Sequence, residues 1–139
     1  MKLEEFRKMY IEEKYLKKWI MSWPDDTKGK GSWVWNNDGS VDVDGTIFIN
    51  SNSYPFSKLP VKFRKVKGYF DCGLNSLETL ENCPDEIGED FLFYGNQIES
   101  LDFFPKKIGK DVRCYDNPKN FHIDQLNSIC KIGGSIVNY

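Results

Sequence analysis

A repeat with a period of 21 residues runs through the second half of the sequence and constrains the fold more than any other feature. Three segments, which begin at Val66, Ile87 and Ile108, carry the same residue types at the same internal positions. The matching columns are Val66/Ile87/Ile108, Phe70/Phe91/Val112, Cys72/Phe93/Cys114, Asn75/Asn96/Asn117, Leu77/Ile98, Leu80/Leu101 and Pro84/Pro105. A fixed period of this length is typical of solenoid proteins, in which stacked units bury a continuous core that no single unit could form alone.

Each unit contains the spacing of the leucine-rich-repeat core, L-x-L-x-x-N-x-L. In the first unit this segment is Phe70-x-Cys72-x-x-Asn75-x-Leu77. The alternation around Phe70 and Cys72 predicts a short strand, and the strand ends in a turn at Asn75. An asparagine amide both donates and accepts hydrogen bonds, so we expect the stacked asparagines to form a ladder. The predicted fold is an α+β repeat, a leucine-rich-repeat-like solenoid with one strand per turn and about five turns.

The remaining segments divide the chain into three parts. Residues 1–24 are rich in helix-forming residues and end at Pro24, which predicts an N-terminal helix that caps the open end of the solenoid. The broad apolar stripe of this helix leaves a partner-binding role open as well. Residues 25–32 predict a flexible linker, and residues 33–139 form the solenoid, which makes one compact unit with the helix as its cap.

Two local patterns complete the prediction. Residues 33–43 alternate on either side of Asp38-Gly39, which predicts a hairpin whose tryptophans pack beside Trp19 or Trp23. Residues 122–130 predict a short C-terminal helix before the last strand, with Asp124 as its N-cap.

The segment from Ile87 to Leu101, IGEDFLFYGNQIESL, and the earlier NNDGSVDVDG from Asn36 to Gly45 resemble the short leucine-rich-repeat-like proteins of T4-type tailed bacteriophages. The resemblance covers roughly residues 33 to 139. It implies a phage protein made in the host cytoplasm that binds a host protein, such as a defence factor, and inhibits or redirects it. The family has no shared chemistry, so the resemblance carries over no catalytic residue.

Composition and motifs exclude several classes of function. The net charge of −2 gives no general attraction to nucleic acid or to an anionic membrane. No stretch approaches the roughly 20 apolar residues of a membrane span, and the charges in the first eight positions are not those of a signal peptide. These features predict a cytoplasmic protein. The single histidine, His122, has no motif partner, and nucleotide-binding and zinc signatures are absent. We therefore expect a protein that is not an enzyme and that has no cofactor, metal site or disulfide.

Two alternatives to a protein-binding module stay open. Five lysines make the first thirty residues locally basic, which would suit a nucleic-acid-associated factor, although nucleic acid is not the expected partner. The lysines are Lys14, Lys17, Lys18, Lys28 and Lys30. The other alternative is a structural, self-associating protein. The expected state in solution is a monomer or a weak homo-oligomer.

The predicted partner-binding surface is the exposed face of the strands that follow the repeat. Residues between the buried strand positions point to the concave face of a leucine-rich repeat, and tyrosine and arginine are the types enriched at interface hot spots. The predicted partner-binding residues are Phe48, Tyr69, Asp71, Asp90, Leu92, Tyr94, Asp111, Arg113 and Tyr115.

Overall fold

The computed structural model describes residues 2–25, 28–49 and 54–139, and it is a β-solenoid of about four turns with parallel strands. The sequence predicted about five turns with one strand in each. The structure instead places two short strands in each turn, so that the solenoid has two six-stranded sheets. Sheet A has the strand order β1-β4-β6-β8-β10-β12, and sheet B has the order β11-β9-β7-β5-β3-β2.

Most strands are only two residues long, and their register follows the 21-residue period. The strands of sheet A are β1 Ile20–Met21, β4 Thr46–Phe48, β6 Phe70–Asp71, β8 Phe91–Leu92, β10 Val112–Arg113 and β12 Ile136–Val137. The strands of sheet B are β2 Ser32–Trp35, β3 Val41–Asp44, β5 Phe63–Val66, β7 Glu86–Ile87, β9 Lys107–Ile108 and β11 Lys131–Ile132. From β3 and β4 onward every pairing along the solenoid is parallel. At the N-terminal end, β1 pairs antiparallel with β4, and β2 pairs antiparallel with β3.

A glycine corner joins the two strands of a turn. Gly88 and Gly109 lie at this corner, and the N–H of each donates to a carbonyl of the preceding turn, Val66 O and Ile87 O, both at 2.9 Å. A Cβ atom on Gly109 would lie 1.9 Å from the carbonyl oxygen of Gly88. Consecutive corners are therefore stacked so closely that only glycine fits there.

The core fills the space between the two sheets. The inward-facing residues of the predicted strand columns are buried, as the alternation predicted. The bulkiest buried side chains are Phe70, Phe91 and Phe93 of these columns and Phe63 of β5. Their rings meet in edge or tilted pairs, with centroids 4.9 Å apart for Phe91–Phe93 within one turn and 6.1 Å apart for Phe70–Phe91 between neighbouring turns. Aromatic side chains thus carry the contact from one turn to the next.

The predicted asparagine ladder is confirmed. The Nδ2 of Asn96 donates to Phe93 O in its own turn and to Cys72 O in the preceding turn, each at 3.0 Å. Its Oδ1 accepts from the N–H of Leu77 at 3.1 Å. Asn117 repeats this pattern one turn later, with its Oδ1 accepting from Ile98 N at 3.0 Å. The ladder joins each turn to the preceding one along the side that follows sheet A.

The N-terminal segment forms a helix in three parts and ends earlier than predicted. Helix α1 spans Leu3–Ile11, a π-helical turn spans Glu12–Leu16, and α2 spans Lys17–Trp19 before strand β1 begins. Only its second half covers the solenoid, through the buried residues Ile11, Leu16 and Trp19. The first half projects, with its apolar side chains exposed.

The predicted hairpin is confirmed, but its tryptophans contact different residues. Strands β2 and β3 pair antiparallel, with Trp33 opposite Val43. The indole N–H groups of Trp33 and Trp35 both donate to Oε2 of Glu12, at 2.5 Å and 3.3 Å. The Glu12 carboxylate accepts both hydrogen bonds and so fixes the hairpin to the helix. The sequence prediction considered only apolar contacts of the tryptophans and did not include this bond.

Two boundaries differ from the prediction. Strand β2 begins at Ser32, inside the predicted linker, of which residues 26 and 27 lie outside the described residues. The C-terminal helix α3 spans Ile123–Ile129, and its N-cap is His122, so the assignment of Asp124 was wrong. The side chain of Gln125 accepts from the N–H of His122 at 3.1 Å, and this capping box sets the start of the helix.

Thiol titration in denaturant without a reductant is expected to find four free thiols in each chain, because all four cysteines are unpaired and buried. In the native protein at pH 8 the same reagent is expected to react slowly. Burial raises the pKa of Cys114 and of Cys130 to about 11, and the thiolate is the reactive form. Finding two or fewer thiols in freshly purified protein would contradict the structure.

Candidate functional site

The outer face of sheet A presents a straight column of five side chains, one from each of the strands β4, β6, β8, β10 and β12. The strand register places Phe48 beside Asp71, Asp71 beside Leu92 and Leu92 beside Arg113. Val137 follows Arg113 as the last member of this outer column. Neighbouring rungs of a sheet lie about 4.8 Å apart, so the four predicted residues form one continuous surface. The column alternates between apolar and charged residues.

The apolar members of the column are partly exposed. Phe48 has 40% of its surface exposed, and Leu92 and Val137 are half-buried. Arg113, between Leu92 and Val137, is exposed, and it forms no ion pair within the described residues. A rigid sheet that exposes a large aromatic residue and an unpaired guanidinium has the composition of a protein-binding surface.

Tyr94 and Tyr115 border the column as a stacked pair. Their ring centroids lie 4.9 Å apart with an angle of 19° between the planes. The other face of Tyr94 covers Gly73, where a Cβ atom would lie 2.6 Å from the ring. Gly73 therefore makes room for the tyrosine of the next turn. Packing therefore holds both faces of the Tyr94 ring. The ring has little conformational freedom left to lose if its edge and hydroxyl take part in binding.

Asp71 lies one rung before Leu92 and two rungs before Arg113 in the outer column. Its Oδ1 accepts from the N–H of Gly73 at 3.0 Å. Burial raises the pKa of Asp71, while the Gly73 N–H and the charge of Arg113 act against that rise. Burial, and next the charge of Asp71, also raise the pKa of Tyr94. These groups form one electrostatic unit at the centre of the surface.

The two remaining acidic residues of the predicted surface bind the backbone of the solenoid. The Oδ1 of Asp90 accepts from Asp111 N at 2.9 Å, and the Oδ1 of Asp111 accepts from Ser135 N at 2.8 Å. Each carboxylate thus joins its own turn to the next one at the corner before sheet A. Their first role is structural, and the sequence could not reveal it without the register between turns.

Tyr69 lies apart from the outer column, in a small groove at the same corner. This groove has a volume of about 330 Å³. It is lined by Trp23, Pro24, Thr46, Tyr69, Glu89, Asp90 and Lys110. The ring of Trp23 covers Gly68, and Lys67 lies over it with its Nζ 5.9 Å from the ring centroid. The described structure therefore connects Tyr69 to the N-terminal cap more than to the tyrosine pair.

Two residues of this surface escaped the sequence analysis. Val137 extends the outer column, and the similarity of Ile136 to Val112 was a signal that could have revealed it, although these two residues lie 24 and not 21 positions apart. Leu74 has a positive φ of 55° and 43% of its surface exposed, and its side chain covers Gly95 of the next turn. An exposed leucine in a left-handed turn has no distinctive sequence signal, because asparagine or glycine is expected there.

A larger groove crosses sheet B, with a volume of about 590 Å³. Part of the charge on its walls is paired, with Lys65 Nζ 3.4 Å from Glu86 Oε2 and Lys67 Nζ 3.6 Å from Asp44 Oδ1, whereas Lys107 forms no ion pair within the described residues. Its floor contains Gly88 and Gly109. These glycines are explained by the contact between turns, so the shape of the groove needs no ligand to account for it. We therefore place the candidate site on sheet A.

Within residues 2–25, 28–49 and 54–139, no cluster of three or more histidine, cysteine, aspartate or glutamate side chains could hold a metal ion. No helix in those residues is long and apolar enough to cross a membrane. In comparisons with known proteins, no family model matches the sequence, no curated protein resembles it, and no solved structure matches the fold.

Proposed function

We propose that the protein is a protein-binding module and that its partner docks on the outer face of sheet A. The observation that carries this proposal is the outer column from Phe48 to Val137, bordered by the Tyr94–Tyr115 stack. Its apolar, tyrosine and arginine groups are the residue types that supply most binding energy at protein interfaces. They lie on hydrogen-bonded strands, so little conformational entropy is lost on binding.

The partner that we propose is a host protein, such as a defence factor, and the protein itself would be a leucine-rich-repeat-like inhibitor encoded by a T4-type phage and active in the host cytoplasm. This part of the proposal is supported by the resemblance of the repeat units and by the asparagine ladder on the side of sheet A. A pull-down from host lysate with mass spectrometry tests it, with the Tyr94→Ala/Arg113→Ala variant as the negative control. Equal recovery of a protein by both baits would count against the site.

A nucleic-acid role through the basic N-terminal segment has weaker support. Lys17 pairs with Glu13, and Lys8 lies 3.5 Å from Glu4. Such pairing within the helix neutralises part of the positive charge that phosphate binding would use. Binding that weakens steeply with added salt would favour this alternative over the apolar sheet surface.

The double variant Tyr94→Ala/Arg113→Ala is expected to lose about 2 kcal/mol or more of partner binding, roughly a thirtyfold weaker Kd. Isothermal titration calorimetry with the captured partner measures the loss. Lys107→Ala is a suitable control, because Lys107 is an exposed residue on sheet B, the opposite sheet. Both variants should melt like the parent. Unchanged affinity in the double variant would move the binding site away from sheet A.

A further inference from the structure

Helix α1 exposes an apolar face that no other part of the described chain covers. Leu3, Phe6, Met9 and Tyr10 have 84%, 60%, 50% and 49% of their surfaces exposed, and Ile11 is the only buried residue of the helix. At 3.6 residues per turn these four side chains project within about 120° of the helix circumference. A soluble helix normally packs a stripe of this kind against another surface.

The outer column of sheet A matches this stripe in spacing. A helix rises about 1.5 Å per residue, so the ten-residue step from Leu3 to Glu13 spans about 15 Å. Three rungs of a sheet, from Phe48 to Arg113, span about 14 Å. A helix that lies along the solenoid axis can therefore place one side chain on each rung.

The column and the helix also match in chemistry. With Leu3 on Phe48, the next rung places Arg7 at Asp71, and the third places Tyr10 on Leu92. Arg7 is exposed and forms no ion pair within the described part of the chain. Asp71 likewise has no salt-bridge partner there, and its hydrogen bond from Gly73 N uses only one of its two carboxylate oxygens. Glu13 reaches the rung of Arg113, although it already pairs with Lys17.

We infer that helix α1 of one molecule docks on the outer face of sheet A of a second copy, with Arg7 against Asp71 and the Leu3, Phe6 and Tyr10 side chains on the apolar rungs. The two surfaces are different parts of the chain, so the contact is head-to-tail, and repetition gives open chains or closed rings. This inference rests on the proposed function only in using the same sheet face. In the absence of a partner, the helix of a neighbouring copy would cover that face.

Sedimentation velocity of the full-length protein alone, over a wide range of concentration, tests the inference. The weight-average sedimentation coefficient of the parent is expected to rise with concentration. Phe6→Glu should abolish the rise, and because Phe6 is exposed the variant should fold normally. Arg7→Glu and Asp71→Arg should each weaken association by about tenfold, since each places like charges together.

A charge exchange gives the sharpest result. When Arg7→Glu protein is mixed with Asp71→Arg protein, opposite charges meet at both possible contacts between the two variants, so the mixture should associate more strongly than either variant alone. Asp44→Arg on sheet B and Glu4→Lys on another side of α1 are the matched controls and should associate like the parent.

If the parent stays monomeric, or if Asp71→Arg has no effect while Phe6→Glu does, the inference is wrong. The second outcome would indicate pairing between two α1 helices. Since no host partner is present, neither result bears on the proposed function, which the calorimetric experiment tests separately.

Discussion

Replacing Gly109 with alanine is expected to destabilise the protein by about 3 kcal/mol or more, at the upper end of what overpacking costs. A Cβ atom at this position would lie 1.9 Å from the carbonyl oxygen of Gly88 and 2.8 Å from its carbonyl carbon. The obstacle is backbone, which cannot rotate away as a side chain can. The N–H of Gly109 also donates to Ile87 O at 2.9 Å, so separating the two turns would break a hydrogen bond of the corner.

Chemical denaturation monitored by circular dichroism measures this effect, and Gly39→Ala is the matched control. Gly39 has a φ of +87° in the hairpin turn, but nothing lies within 4 Å of a Cβ atom there. Its replacement should cost only about 1–2 kcal/mol, the strain of a left-handed conformation for a residue with a Cβ atom. If the two variants lost equal stability, the stacked corner would have room for a Cβ atom at Gly109, and the close packing of turns at this corner would be disproved.

These glycines illustrate what the sequence could and could not predict about the fold. The 21-residue period predicted the stacking, the buried columns and the asparagine ladder, because each depends on residue types that recur in register. The second strand of each turn was missed. Strands such as Glu86–Ile87 and Lys107–Ile108 have one inward and one outward residue, which is too short for an alternating pattern to be recognised. Only the pairing between turns defines them.

The sequence could likewise predict one part of the candidate site and not the other. Strand alternation was sufficient to place Phe48, Asp71, Leu92 and Arg113 on one face, and their register confirms that they form one column. The stacking of Tyr94 on Gly73 could not be predicted, since it depends on how far a side chain reaches across to the neighbouring turn. The same holds for the projecting half of α1. A broad apolar stripe indicates burial somewhere, but it does not indicate whether the covering surface belongs to the same molecule.

Asn96→Ala is expected to destabilise the protein by about 3 kcal/mol, because the buried N–H of Leu77 loses its acceptor and two buried carbonyl groups each lose one of their donors. Asn96 has 1% of its surface exposed. Its amide binds Phe93 O in its own turn and both Cys72 O and Leu77 N in the preceding turn. Alanine leaves the Leu77 N–H unpaired, whereas Cys72 O keeps its bond from Asn75 and Phe93 O keeps its bond from Asn117.

Thermal and urea denaturation of Asn96→Ala beside Asn37→Ala checks this expectation, since Asn37 is exposed in the hairpin turn and should contribute less than about 0.5 kcal/mol. Asn117→Ala provides an intermediate case, because its side chain is half-buried near the C-terminal end of the ladder and makes similar bonds to Phe93 O and Ile98 N. A solenoid whose turns contact only their neighbours should lose the most stability when an internal rung is broken. We therefore expect the order Asn96, Asn117, Asn37. Equal and negligible losses at all three positions would mean that the aromatic core, and not the ladder, holds adjacent turns together.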